Sequence, residues 1–126
     1  MNHTKRYTTW RLRELDDIRK NGGINNCKIV EPAWLYTLNK KTGEITETEG
    51  TYWKCGLRSC FLVKDTDNFY ENLSNEKIPR GGNIVWLSRQ DKEQAVFAFG
   101  VYYQMKIAML VKETEELGDI LRRIYN

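Results

Sequence analysis

The stretch that decides the fold is KIVEPAWLYTLNKKTGEITETEGTYWK, residues 28–54. Both of its ends are rich in β-branched and aromatic residues, which favour extended strands. Between them, residues 39–44 form a polar turn signal in which Gly43 suits the positive φ of a tight turn. We therefore predict that strands 28–38 and 45–54 pair as an antiparallel hairpin. The polar first half of the second strand predicts a solvent-facing edge.

Two further strands are predicted after this hairpin. Residues 57–64 follow a turn at Cys55-Gly56 and read as a third strand with alternating faces. Residues 84–87, Ile-Val-Trp-Leu, are all apolar, which predicts a short strand at the centre of the sheet. The intervening segment 65–82 is rich in turn-forming residues. It is predicted to be a long connection in which Phe69, Tyr70 and Leu73 make one helical turn.

A helix is predicted before the sheet. Thr8 is a suitable N-cap. Leu12, Leu15 and Ile18 then recur at the spacing that places side chains on one face of a helix. Asn21-Gly22-Gly23 ends the pattern with residues that tolerate the left-handed conformation at a helix C-terminus.

The clearest periodicity lies in the last third of the chain. An apolar residue recurs every seven positions, at Val96, Tyr103, Leu110, Leu117 and Ile124. Ser88, followed three residues later by Asp91, resembles a capping box that opens this helix. The part up to Val111 is apolar nearly all round, which predicts that it lies across the sheet. The remainder is either a continuation of the same helix or a second helix after a break near residues 112–116.

These elements predict one domain over residues 1–126, since a chain of this length sits near the usual size of a single domain. The predicted fold is α+β. A three- to four-stranded, mainly antiparallel sheet carries the N-terminal helix and the long C-terminal helix on one face.

Composition narrows the class of protein. The net charge is +3, milder than nucleic-acid-binding domains usually show. We find neither a run of 18 apolar residues nor an apolar segment near the start, which predicts no membrane span and no signal peptide. We therefore expect a cytoplasmic protein. Three cysteines without a Cys-x-x-Cys pair predict free thiols, although Cys55 and Cys60 could face each other across a hairpin.

Catalytic patterns are weak. His3 is the sole histidine, so no Ser–His or Cys–His pair can form. Asp65 and Asp67 suit a turn better than a cation site, because no further oxygen ligands follow at a recognisable spacing. Residues 80–83, Arg-Gly-Gly-Asn, precede a strand, whereas a phosphate-binding loop precedes a helix. The sequence therefore predicts no enzyme, no cofactor and no metal.

Aromatic residues indicate a binding surface. We predict an exposed aromatic face on the hairpin, bordered by cations, as the site for a partner. Its predicted residues are Trp34, Tyr36, Lys40, Lys41, Tyr52, Trp53 and Arg80. Two other interpretations stay open: the same rings could stack single-stranded bases, or they could build the core of a small sheet. A second surface is predicted on the last helix. There the stripe Leu110, Leu117, Leu121 and Ile124 is expected to pack against another helix, in a homodimer if that helix belongs to a second copy.

The strand Ile84–Leu87, the residues Ser88 and Asp91, and the long charged-aliphatic helix together resemble small accessory proteins of bacteriophages and mobile elements. Some of those proteins block host defence systems by direct contact. The resemblance covers about the last third of the chain and implies a context, without assigning a role to any residue. The function expected from the residues is a non-enzymatic binding protein that acts by protein–protein contact. In the context that the resemblance implies, it would be an inhibitor of a host defence nuclease (anti-CRISPR-like) in the host cell cytoplasm, with a host protein or protein–nucleic-acid complex as its partner. The alternative is a nucleic-acid-binding accessory protein that uses the basic N-terminal region and the aromatic strands.

Overall fold

The computed structural model describes residues 4–5, 27–55, 58–66, 68–71, 73 and 75–126. In chain order these form β1 (Thr4–Lys5), β2 (Cys27–Leu38), β3 (Ile45–Cys55), β4 (Arg58–Val63), β5 (Phe69–Glu71), β6 (Ile84–Leu87) and α1 (Lys92–Tyr125). The strand order is β1-β5-β4-β3-β2-β6, and all neighbours are antiparallel. The α+β class and the antiparallel sheet are confirmed, but the sheet has six strands instead of three or four. The predicted N-terminal helix lies outside the described residues.

The predicted hairpin is confirmed. β2 and β3 pair from Leu38 opposite Ile45 onwards, and Gly43 adopts a φ of +78° in the turn. The side chain of Asn39 closes this turn by accepting hydrogen bonds from the next backbone amides. The ladder to β4 starts only at Gly50, so residues 45–49 pair with β2 alone among the described strands. The polar half of β3 is therefore an edge, as predicted, while its second half lies inside the sheet.

The predicted helical turn near Phe69 is wrong. Residues 69–71 form strand β5, which pairs with β4 through Leu62 opposite Phe69. Phe69 and Glu71 are buried while Tyr70 between them is half-buried, which is the alternation of a strand. The extra strand also covers the β4 backbone, which would otherwise be a free edge.

The central position predicted for residues 84–87 is also wrong, because β6 is the last strand in the sheet. All four of its side chains are nevertheless buried. The segment before β6 folds back along its outer edge. There the Lys77 amide donates to the Trp86 carbonyl at 3.4 Å, and the Arg80 amide donates to the Ile84 carbonyl at 2.7 Å. The side chains of β6 alternate between two core clusters, which explains how an edge strand can be apolar on both faces.

The core occupies both faces of a curled sheet. One cluster comprises Ala33, Leu35, Phe61, Leu73, Ile84 and Trp86, and the other comprises Tyr36, Val85, Leu87, Ala95 and Phe99. Curling is visible in the rings of Tyr52 on β3 and Trp86 on β6. They stack with centroids 4.0 Å apart, although β2 lies between their strands.

Helix α1 begins at Lys92, and its N-cap is Asp91 rather than the predicted Ser88. The Asp91 carboxylate accepts a hydrogen bond from the Gln94 amide at 3.1 Å, as an N-cap residue does. The Ser88 hydroxyl instead donates to Glu76. The helix runs unbroken through residues 112–116 to Tyr125, so the continuous arrangement is the observed one. With 34 residues it is about 50 Å long.

Only the first turns of α1 pack on the sheet. Its buried residues are Ala95, Ala98 and Phe99, and the Tyr103 hydroxyl donates to the Gly82 carbonyl at 2.8 Å. From residue 104 the helix is exposed almost throughout. The prediction that α1 lies across the sheet as far as Val111 is therefore wrong. The facing strand β6 has four residues, about 13 Å, and cannot cover a helix of that length.

Candidate interaction groove

An open, mainly apolar groove of about 700 Å³ lies beside the start of α1. One wall is the segment 77–79, and the other is the first four turns of the helix. The main apolar residues that line it are Ile78, Pro79, Phe97, Val101, Tyr102 and Met105. Three of these side chains lie on one side of α1, because Phe97, Val101 and Met105 follow one another at intervals of four residues.

The large apolar side chains that line this groove are unusually exposed to solvent. Phe97 is 72% exposed, Met105 is 62% exposed and Ile78 is 52% exposed. A contiguous set of large apolar side chains in water is uncommon on a monomer and marks a contact site. The rim is polar, with Lys77 on one wall and Asp91 and Glu93 on the other.

Polar contacts fix the two walls relative to each other. A carboxylate oxygen of Glu76 accepts hydrogen bonds from both the amide and the hydroxyl of Ser88. Lys77 has a φ of +67°, a left-handed conformation that costs a residue with a side chain about 1 kcal/mol or more. The Ile78 amide donates to the Asn75 carbonyl across this bend. The bend therefore holds Ile78 at the groove wall.

The start of α1 is tied to the sheet through Tyr36. Its hydroxyl donates to Glu47 Oε2 at 2.8 Å and accepts from the Asp91 amide at 2.9 Å. Gln90 Nε2 donates to the other oxygen of Glu47 at 2.7 Å. Burial, together with the hydrogen bond to Glu47, raises the pKa of Tyr36 to about 12. The hydroxyl is thus protonated at neutral pH and holds the helix N-terminus in place.

Replacing Tyr36 with phenylalanine is expected to have an effect that depends on pH. At pH 7 the variant should lose about 1–2 kcal/mol of unfolding free energy with the two hydrogen bonds. The native pKa of Tyr36 lies above the ordinary value of 10.0. The stabilisation that its hydroxyl gives the wild type is therefore fully present below about pH 10 and is lost as the pH rises toward 12. That loss is about 1.4 kcal/mol at pH 11.

The variant has no such group, so the two unfolding free energies should converge above pH 10. Urea unfolding of both proteins at pH 7, 9 and 11 measures the difference. A gap that stays constant across this range would contradict the assignment to Tyr36.

The exposed aromatic face predicted on the hairpin is wrong. Tyr36 is 0% exposed and Trp53 is 1% exposed, so neither can contact a partner in this conformation. Trp34 and Tyr52 are half-buried, and each packs against one of the two core clusters. The physical reason is the curl of the sheet, which leaves neither face of the hairpin free.

The predicted cations lie close together but have different surroundings. Lys40 and Lys41 are exposed in the hairpin turn, and Lys40 Nζ donates to the Gly81 carbonyl at 3.2 Å. Arg80 is half-buried, and its Nη1 donates to the Glu71 carbonyl at 2.8 Å. Arg80 therefore ties the turn before β6 to β5, while the two lysines stay open to solvent. The four residues of the predicted helix stripe, Leu110, Leu117, Leu121 and Ile124, are all exposed.

The sequence prediction missed the groove residues because it placed Phe97 and Met105 in a buried part of α1. One sequence signal could have found them: Phe97, Val101 and Met105 line a different side of the helix from the seven-residue repeat. A helix with two separate apolar sides has more apolar surface than one small sheet can cover.

The absence of a membrane span stays a prediction, although α1 is, by length and composition alone, long and apolar enough to cross a membrane. The same residues include Ala95, Ala98 and Phe99, which are buried against the sheet. Within the described residues, no group of three or more His, Cys, Asp or Glu side chains could hold a metal ion. No family model, curated protein or solved structure matches this chain.

Proposed function

We propose that this protein is a non-enzymatic binding protein that acts by protein–protein contact through the groove beside α1. The observation that carries the proposal is the exposure of Phe97 in a contiguous apolar wall. Aromatic residues are enriched at the cores of protein interfaces.

A protein segment fits the groove better than a small molecule. Ligand pockets enclose about 70–90% of the surface of their ligand. Here Ile78, Phe97 and Met105 are each more than half exposed, so the groove is too open to enclose a ligand in that way. A groove with a helix as one wall suits an amphipathic helix, which would place apolar anchors along Phe97 and Met105. A basic residue on that helix would meet Glu93 at the rim.

Protein contact is also favoured over nucleic-acid binding. Stacking of bases needs exposed rings, and the rings of Tyr36 and Trp53 are inside the core. Of the three cations predicted beside those rings, Lys40 and Lys41 are exposed and Arg80 is half-buried, fewer exposed charges than a phosphate-tracking surface usually carries. The resemblance of the last third to phage accessory proteins favours a host protein, or a host defence complex that contains nucleic acid, as the partner.

Phe97→Asp is expected to weaken partner binding by about 30-fold or more, the loss typical of a central aromatic contact of about 2 kcal/mol. The fold should be unaffected, because Phe97 is 72% exposed. The partner is first captured from a bacterial lysate treated with nuclease, and its Kd is then measured for wild type and variant.

Val96→Asp is the matched control, since it also replaces an exposed apolar side chain of α1 with aspartate, at a position that does not line the groove. It should bind like the wild type. A captured partner that Phe97→Asp binds as tightly as wild type would exclude the groove. Capture that disappears with nuclease and weakens steeply with salt would instead favour the nucleic-acid alternative.

A further inference from the structure

Beyond its contact with the sheet, α1 carries a second apolar surface. We define the seam as Ile107, Leu110, Thr114, Leu117, Leu121 and Ile124, which alternate at spacings of three and four residues. Its five large apolar side chains are between 53% and 67% exposed. The eight charged residues between 104 and 126 all lie off the seam. This is the a/d pattern of a coiled coil over three heptads.

The seam lies on the side of α1 that faces the sheet. Tyr103, whose hydroxyl bonds to the Gly82 carbonyl, precedes Leu110 by seven residues, and Leu117 and Ile124 follow at the same step. A seven-residue step along a helix returns to within about 20° of the same direction. The sheet thus covers the upper part of one helix side, and the seam is the uncovered continuation of that side.

We propose that the seam pairs with the seam of a second copy of this chain in an antiparallel coiled-coil dimer. Ile107 then packs beside Ile124 of the second copy, Leu110 beside Leu121, and Thr114 beside Leu117. The two-fold axis passes between residues 115 and 116. This proposal rests on the seam alone and is independent of the proposed function of the groove.

The sheet decides the antiparallel orientation. Helices in a coiled coil are about 8–10 Å apart, whereas a layer packed on a helix needs about 10 Å of its own. In a parallel pair both sheets would lie at the same end, on the facing sides of the two helices, and would overlap. In an antiparallel pair the sheets lie at opposite ends.

The length of the seam matches this arrangement. Pairing Ile107 with Ile124 places the last seam residue of the second copy beside the first seam residue after Tyr103, the last helical residue with a described contact to the sheet layer. The two seams therefore cover each other over their whole length without reaching the sheet.

The polar side chains near the seam already interact with other groups of the same helix, so they do not require a polar partner chain. Thr114 is the only seam residue with a polar side chain, and its hydroxyl donates to the Leu110 carbonyl at 2.9 Å within the same helix. Burial of Thr114 against Leu117 would therefore leave no unpaired hydroxyl donor. Arg122 and Asp119 pair with each other on the outer side of the helix. Nothing along the described seam requires a charged partner.

Membrane insertion is the competing use of this helix, and the docked residues disfavour it. A span needs about 20 residues, so it would have to include Ala95, Ala98 and Phe99 together with the apolar stretch to Val111. Those three side chains would have to leave the core. Association through the seam leaves the packing of the sheet intact.

The first test is the mass in solution by sedimentation equilibrium. The wild type is expected at twice the 14.9 kDa of one chain, and Leu117→Asp with Leu121→Asp at the mass of one chain. Lys112→Asp with Arg123→Asp places two aspartates on the opposite side of α1 and should remain dimeric. A wild type that is monomeric at 100 μM, on the order of 10⁻⁴ M in Kd, would overturn the dimer. Pelleting of that monomer with phosphatidylcholine–phosphatidylglycerol vesicles would assign the seam to a membrane.

The second test is the orientation, by disulfide formation under mild oxidation. Leu110→Cys and Leu121→Cys chains should cross-link when mixed and fail to cross-link alone, because each cysteine faces the other position. Oxidised wild type gives the background from Cys27, Cys55 and Cys60. Cross-linking of Leu110→Cys with itself would show a parallel pair and overturn the proposed orientation.

The proposal for the groove and the proposal for the seam can be tested separately. Val101 in the groove and Tyr103 above the seam are two residues apart, a spacing that places side chains on nearly opposite sides of a helix. Phe97→Asp should therefore remain a dimer, and the dimer-breaking double variant should keep its groove. Phe97→Asp that binds its partner like wild type would contradict the groove alone, whereas a seam double variant that stays dimeric would contradict the seam alone.

Discussion

Replacement of Trp53 with alanine is expected to lower the free energy of unfolding by about 3–5 kcal/mol. The side chain is 1% exposed and is among the largest fully buried groups in the described residues. It lies on the half of β3 that is flanked by β2 and β4, opposite Cys60 on β4. Strands on both sides prevent the site from collapsing around the missing ring, so the cost should be near the upper end of the usual range.

Domains of this size are stable by about 5–15 kcal/mol, so this variant should be partly or wholly unfolded at modest urea concentrations. Lys40→Glu with Lys41→Glu is the control. Both lysines are exposed in the hairpin turn, and their loss should change the melting temperature very little. A Trp53→Ala protein within 1 kcal/mol of wild type, on the order of a surface change, would show that this ring is not part of the core.

The hairpin was predictable because its information is local. The turn signal from Asn39 to Glu44 sets the pairing of Leu38 with Ile45, and the register of β2 and β3 follows from that pair as far as Glu31, beyond which a bulge shifts it by one residue. A turn fixes strand register through bonds between residues that are close in sequence. The identity of β4 was predictable for the same reason, since it begins three residues after β3 ends.

The positions of β5 and β6 depended on residues far away in sequence. Turn-forming residues surround Phe69 in the sequence, and it is a strand residue because it pairs with Leu62. The apolar run of β6 suggested a central strand, but the backbone of Lys77 and Arg80 covers its edge instead. An apolar sequence indicates that a strand is buried, but the strand can lie either at the centre of the sheet or at an edge that another segment covers.

The size and curl of the sheet decide whether the residues of the two predicted surfaces are exposed. Tyr36 and Trp53 were placed outside because a flat hairpin has a free face, whereas the curled sheet buries both. The stripe from Leu110 to Ile124 is exposed because the sheet ends near Tyr103. The same short sheet exposes Phe97 and Met105. Composition could indicate the excess of apolar residues, but only the dimensions of the sheet decide which of them meet water.

Gly50→Ala is expected to destabilise the protein by about 3 kcal/mol or more, the upper range for overpacking a close contact. Gly50 lies on β3 opposite Val63 of β4, and it is buried. An added Cβ would overlap the Leu62 carbonyl oxygen and would lie 2.6 Å from the ring of Phe61. The oxygen belongs to the backbone of a paired strand, so no side-chain rotation can relieve the overlap.

Gly100→Ala is the matched substitution with the opposite expected sign. Gly100 lies inside α1, and its added Cβ would meet nothing within 4 Å. Alanine in a helix interior is favoured over glycine by about 0.5–1 kcal/mol, so this variant should be more stable than wild type. Urea unfolding of the three proteins compares the two changes directly. Because both add one methyl group, equal effects at the two positions would contradict the close approach of β3 and β4 at Gly50.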